Sequence, residues 1–223
     1  MPIHLSHFTA VLMDEVQIAA LLFMAVVYAL KIRWVLSYKA GKERTPSRGD
    51  TGKAIRYAYT TVAMPWELPS TRKHWFRWVE FAIFHVAVAT AIGVTFVMPY
   101  WPKAIASPPV VSTLQAVFGL GLLAALSRLG RRIADPSMRA ITSPDDAFSL
   151  IMLACWLGAG VLAAPQTSEP ALIAFFGLTA FFLVYVPFSK ISHYIYWPFI
   201  RYYIGKHLGH RGVYPAKAVP NRA

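Results

Sequence analysis

FRWVEFAIFHVAVATAIGVTFVM, residues 76–98, decides the fold of this chain. After Glu80 it holds no Asp, Glu, Lys or Arg, and it is long enough to cross a bilayer core, which takes about 20 residues of helix. Four more stretches read the same way, at 16–35, 110–126, 148–164 and 171–196. Pro99, Pro108, Pro109, Pro144, Pro165 and Pro170 mark most of their boundaries. The first stretch has no basic region before it and ends in Lys31 and Arg33. It reads as a spanning helix whose two basic side chains snorkel to the interface, not as a cleaved signal peptide. The expected architecture is an all-α membrane protein, a single membrane domain over 1–223 with five transmembrane helices.

Composition agrees. Hydrophobic residues make up 57% and charged residues 14%, against roughly 25% charged in a soluble domain. That argues against an ordinary soluble enzyme and against disorder, which needs low hydrophobicity. The lone cysteine, Cys155, excludes a disulfide scaffold, a zinc ribbon, a c-type haem attachment and a cysteine-ligated iron–sulfur cluster within the chain.

The net charge of +12 acquires a meaning once its positions are read. The 38–77 connection holds Lys39, Lys42, Arg44, Arg48, Lys53, Arg56, Arg72, Lys73 and Arg77. The connection between the third and fourth stretches holds Arg128, Arg131, Arg132 and Arg139. The end of the chain holds Arg201, Lys206, Arg211, Lys217 and Arg222, with Lys190 just inside the last stretch. The alternate connections carry only Lys103. The positive-inside rule then places the N-terminus outside and the C-terminus inside. The charge is a topology signal, and nucleic acid is not an expected partner, because it needs a contiguous soluble face. The basic inner loop at 38–75 is too long for a simple connector. A partner contact or an interfacial segment is expected there, with a short surface helix near 54–64.

Polar groups at membrane depth are functional hypotheses by default. Here they are Glu80, His85 and His193, with Lys190 near the inner end of the last stretch. His85 lies nine residues past the inner end of the second stretch, about 14 Å deep at 1.5 Å per residue. His193 lies a few residues before the fifth stretch exits on the same side. Two imidazoles on facing helices can fill both axial positions of a haem iron. They can equally make interhelical hydrogen bonds, or serve a proton path with Glu80, and spacing leaves the three readings open. Glu80 itself reads as a paired or partly solvated carboxylate. Arg77, Arg131, Arg132, Arg139 and Lys190 lie at the level where haem propionates would need cations. Gly93, Gly119, Gly121, Gly158, Gly160 and Gly177 read as close-packing positions. Tyr196, Trp197, Tyr202 and Tyr203 read as an interfacial belt.

Three segments together resemble the respiratory nitrate reductase gamma subunit family, five-helix membrane anchors that carry b-type haem. They are Phe84-His85, the run Arg131-Arg132-Ile133-Ala134-Asp135-Pro136-Ser137-Met138-Arg139-Ala140-Ile141-Thr142, and Pro187-Phe188-Ser189-Lys190-Ile191-Ser192-His193. The resemblance covers most of the chain from about residue 70 to 200, in the same order with similar spacing. The resemblance implies haem b ligated by His85 and His193, in the cytoplasmic membrane of a prokaryote. The family's second haem uses histidines where this chain has Thr95 and Phe175. The expectation is therefore one haem, with the outer site empty or filled by packing, and His4 or His7 as the remaining imidazoles that could reach it. This single-haem pattern is similar to the anchors of heterodisulfide-reductase-like and sulfur-metabolism complexes. It implies quinone as exchangeable substrate on the inner half, or a different lipid-soluble carrier, and soluble iron–sulfur or flavin subunits at the inner face.

Gly205-Lys206-His207-Leu208-Gly209-His210-Arg211-Gly212 lacks the spacing of a phosphate loop. It reads as a basic inner tail touching lipid headgroups or a partner, with metal binding by His207 and His210 a lesser reading. Two functions follow from different classes. One is a haem b electron-transfer subunit with no catalytic side chain. The other is a cofactor-free membrane transporter or scaffold relying on Glu80 and the histidines.

Overall fold

The computed structural model describes residues 5–39, 41 and 43–215, with the backbone alone for Ser70. His4, Lys42, Lys217 and Arg222 lie outside the described residues. Among those described, every regular element is helical. Five helical segments are long and apolar enough to cross a membrane: His7–Ser37, Trp75–Tyr100, Pro108–Ala134, Pro144–Ala163 and Glu169–Phe188. The chain is a multi-pass helical membrane protein. Apolar side chains such as Leu22, Val26, Leu123 and Leu162 point outward, as lipid-facing surfaces require.

The chain forms two compact units. The first comprises the described residues up to Ala29 together with Val79–Ile191. It holds α1 (His7–Met13), most of α2 (Glu15–Ser37), most of α5 (Trp75–Tyr100), α6 (Pro108–Ala134), α7 (Pro136–Ile141), α8 (Pro144–Ala163) and α9 (Glu169–Tyr185). Ser6 caps α1 by accepting the Thr9 N–H, and Glu169 at the start of α9 accepts from Ser6 N (2.8 Å) and Thr9 Oγ1 (2.6 Å). The α6, α8 and α9 faces meet around Phe118, Leu157, Phe175 and Phe176, all fully buried. Hydrogen bonds supply what packing alone does not. Gln115 Nε2 reaches Val161 O at 3.1 Å, and Trp156 Nε1 donates to Thr179 Oγ1 at 2.8 Å.

Two of the six glycines expected at close contacts are there. A Cβ on Gly121 would collide with Ala87 Cβ, and one on Gly160 would meet Phe118 at 3.0 Å. Gly93, Gly119 and Gly177 have nothing within 4 Å of that position, and Gly158 only ordinary contact with Leu122.

The second unit comprises Leu30–Trp78 and the chain from Ser192. It contains α3 (Thr51–Thr60), a 3-10 turn at Thr61–Ala63, α4 (Pro69–Lys73) and α10 (His193–His210). The expected short helix near 54–64 is present, three residues earlier at its start. Asp50 caps it by accepting the Lys53 N–H at 2.9 Å. Its Ala54 and Ala58 are fully buried against α10, where Gly205 and Gly209 are spaced i, i+4. The GKHLG portion of the tail motif is thus a small-xxx-small helix crossing. A Cβ on Gly205 would lie 2.5 Å from Ile55 Cα and 2.9 Å from Ile55 N, and backbone cannot rotate away. We expect Gly205→Val to destabilise this unit by about 2 kcal/mol or more, read as a lower thermal midpoint in detergent. Lys206→Val, on the exposed face of the same turn, should cost little.

α10 ends in a Schellman turn. Gly212 N donates to Gly209 O (2.9 Å), Val213 N donates to Leu208 O (3.2 Å), and Gly212 has φ +70°. The 43–50 segment is clamped to this end. Arg48 N donates to His210 O (2.8 Å), His210 Nε2 donates to Thr45 O (2.7 Å), and Arg211 pairs with Glu43 Oε2 at 3.1 Å. Burial pushes the Glu43 carboxyl up, but Arg211, with His207 and Thr45, outweighs it and holds the group below its usual range. A depressed carboxylate stabilises above its unfolded pKa and loses that contribution as pH falls through the folded value. Amide protection at Arg48, corrected for intrinsic exchange, should therefore drop as pH falls below about 4. In Glu43→Gln it should be low at neutral pH already.

Candidate functional site

His85 sits in the third turn of α5, half-buried, with the Phe81 ring 4.0 Å away and Phe84 edge-on at 5.6 Å. Its Nδ1 is 2.8 Å from Phe81 O. A carbonyl can only accept, so Nδ1 carries a proton, and in the neutral ring the lone pair lies on Nε2. This is the tautomer and the supporting contact that metal-bound histidines take.

One turn nearer the start of α5, Glu80 is 6% exposed. Its Oε2 accepts from Arg131 Nη2 at 2.6 Å, and Arg131 Nη1 also reaches Ser127 Oγ at 3.0 Å. Glu80 Oε1 is buried with no hydrogen-bond partner among the described residues. Arg128, one turn from Arg131, lays its guanidinium over the Phe84 ring at 4.7 Å. The expected paired carboxylate is found, and its partner is one of the residues assigned to propionates.

The fifth stretch departs from expectation. α9 stops at Tyr185 instead of running to Tyr196. Val186–Phe188 and Lys190–Ser192 form separate 3-10 turns with Ser189 extended between them, and His193 is the first residue of α10. Pro187 lacks the N–H that would continue the helix, and the start of α8 secures the break. There Ser143 and Asp146 form a capping box. Asp146 Oδ2 accepts from Lys190 Nζ at 2.8 Å, and Lys190 Nζ also reaches Ser143 Oγ at 2.8 Å. Asp145 accepts from Lys190 N at 3.0 Å and from the Tyr185 hydroxyl, which itself lies 2.9 Å from Ser149 Oγ. The Pro187–His193 motif is therefore a locked helix break. Asp145, Asp146 and Tyr185 were missed as its partners. The run Ser143-Pro144-Asp145-Asp146 before an apolar stretch was the available signal.

His193 is exposed and belongs to the second unit, whereas His85 belongs to the first. The structure brings together Glu80 with Arg131 and Lys190 with Asp146. Arg132 Nη1 donates to Thr142 Oγ1 at 3.0 Å, within a turn in which Asp135 caps α7. Arg77 and Arg139 are exposed. Thr95 is buried and donates to Ile92 O at 2.7 Å. Phe175 is fully buried and lies parallel to Trp156 at 5.7 Å, with Phe176 edge-on. His7 opens α1. His207 lies 3.6 Å from Glu43 and His210 bonds to Thr45, both as parts of the clamp on 43–50. Among the described residues no three His, Cys, Asp or Glu side chains converge as a metal site would need. No protein-family model, curated protein or solved structure matches the chain.

Proposed function

We propose that the chain is the haem b-bearing membrane subunit of a quinone-linked oxidoreductase complex, in the cytoplasmic membrane of a prokaryote. Its N-terminus is outside and its C-terminus inside. It passes electrons between the membrane quinone pool and a soluble iron–sulfur or flavin partner at the inner face. The observation that carries this reading is His85, an imidazole on a membrane-spanning helix whose Nδ1–H is held by the Phe81 carbonyl, leaving the lone pair on Nε2. A haem bound by His85 and His193 supplies a one-electron couple.

The chain's residues have distinct parts in this reading. His85 is oriented by Phe81 and flanked by aromatic rings. His193 opens α10, three residues after Lys190. His85 and His193 would hold the haem between them, and a group so held would supply electron transfer and not oxygen chemistry. Among the basic residues, Arg131 and Lys190 share their charge with Glu80 and Asp146. Arg132, whose bond goes to a neutral hydroxyl, is better suited to a propionate; Arg77 and Arg139 are the other candidates. The packing around Phe175 and the bonded Thr95 support a single haem. The transporter or scaffold reading has one observation in its favour, the buried Glu80 Oε1 without a partner.

The test is a dithionite-reduced minus oxidised spectrum of the purified chain, with a haem count and quinol as a second reductant. One b-type haem per chain, reducible by quinol, is expected. A folded preparation from haem-replete cells with no visible absorption would leave the transporter or scaffold reading in its place.

A further inference from the structure

Residues 66–77 place aromatic and cationic side chains side by side at the start of α5, all within the second unit. Trp66, Trp75 and Phe76 are 60%, 62% and 63% exposed, and Leu68 is exposed beside them. Arg72, Lys73 and Arg77 are exposed among them. Three large exposed rings beside three cations would be poorly solvated by water, and α5 continues from Trp75 as a membrane-spanning helix. Indole rings favour the headgroup level of a bilayer, and basic residues beside a spanning helix are drawn to anionic lipid.

The segment is also preformed. Trp78 Nε1 donates to Val62 O at 3.0 Å and ties its two ends together. Successive backbone bonds fold what lies between: Glu67 N to Met64 O, Arg72 N to Leu68 O, His74 N to Thr71 O and Arg77 N to His74 O. Glu67 is the lone acid between residues 61 and 79, and the Tyr57 hydroxyl donates to its Oε2 at 3.0 Å. Burial, and then Glu67, push the Tyr57 hydroxyl above its usual range, so the donor keeps its proton. The acid is thus engaged from α3 while three cations remain outward.

We propose that residues 66–77 form a preorganised docking surface for the headgroups of anionic phospholipids, with Arg72, Lys73 and Arg77 contacting phosphate and Trp66, Trp75 and Phe76 seated at the interface. This is independent of haem. A zwitterionic bilayer satisfies the rings but not the net positive charge, so the surface selects acidic lipid.

The test uses the full chain in phosphatidylcholine bilayers doped with an equal small fraction of brominated phosphatidylglycerol or brominated phosphatidylcholine, and reads tryptophan quenching. The brominated anionic lipid should quench more strongly at low salt. High salt should remove the excess, because headgroup attraction is screened. Trp66→Phe with Trp75→Phe should remove it by deleting the reporters. Arg72→Gln, Lys73→Gln and Arg77→Gln should each lower the apparent preference by up to about fivefold. The salt titration of the unaltered chain keeps the test decisive if a substituted chain fails to fold. Equal quenching by the two lipids, an excess that survives high salt, or an excess reported by the other tryptophans after Trp66 and Trp75 are replaced would each overturn the proposal.

Discussion

We expect His85→Ala and His193→Ala each to abolish the low-spin haem spectrum proposed for the purified chain, and His207→Ala and His210→Ala to leave it intact. A bis-imidazole iron owes its low-spin signature to two nitrogen ligands, and deleting either leaves at most one. A chain that retains haem after such a loss would show a high-spin spectrum, and most of the population should lose the group. His85 carries the additional support of the Phe81 carbonyl, so its replacement removes both the ligand and the oriented contact. His207 and His210 are committed to Glu43 and Thr45. They serve as controls because their loss perturbs the 43–50 segment without touching either proposed ligand. Unchanged absorbance in His85→Ala or His193→Ala, with helical content preserved, would rule out the assigned pair.

The second large effect concerns stability. Arg131→Ala should destabilise the first unit by about 3 kcal/mol, the low end for breaking a buried ion pair. The low end applies because the Arg131 side chain is 38% exposed while Glu80 is 6% exposed. The guanidinium is partly exposed, and the carboxylate it neutralises is not. The substitution leaves Glu80 buried with Oε1 already unpartnered and Oε2 newly so. At roughly 2–4 °C per kcal/mol for a chain of this size, the thermal midpoint should fall by about 6–12 °C. Glu80→Gln should cost less, since the amide oxygen still accepts from Arg131 and no buried charge remains. Glu80→Leu with Arg131→Leu should recover most of the loss, as replacing both members of a buried pair often does. A midpoint in Arg131→Ala within a degree or two of the parent would mean that the pair contributes nothing.

The five spans were legible because each is a run near bilayer length, and proline or charge closes most of them. The break after Tyr185 was not, because aliphatic and aromatic residues continue past Pro187 to Tyr196, interrupted by Ser189, Lys190, Ser192 and His193, and an isolated proline is tolerated in spanning helices. What turns that proline into a break is the Asp145–Asp146 pair more than forty residues earlier, and no local pattern announces such a partner. The Gly205/Gly209 crossing was hidden for a different reason. Small-xxx-small spacing signals helix packing inside an apolar segment, and here it lies in a basic tail, where charge dominates the reading. Arg131 was legible as a topology marker but not as the partner of Glu80. Helix phase fixes which residues share one helix face, not which face a neighbouring helix presents.

The proposed function requires an iron held by two imidazoles of this chain. Electron paramagnetic resonance of the oxidised protein, purified from haem-replete cells, tests that most directly. The account predicts a low-spin ferric signal of bis-histidine type, integrating to one centre per chain and lost in His85→Ala. A high-spin ferric signal as the main species, or no iron signal from a folded and haem-exposed preparation, would contradict it.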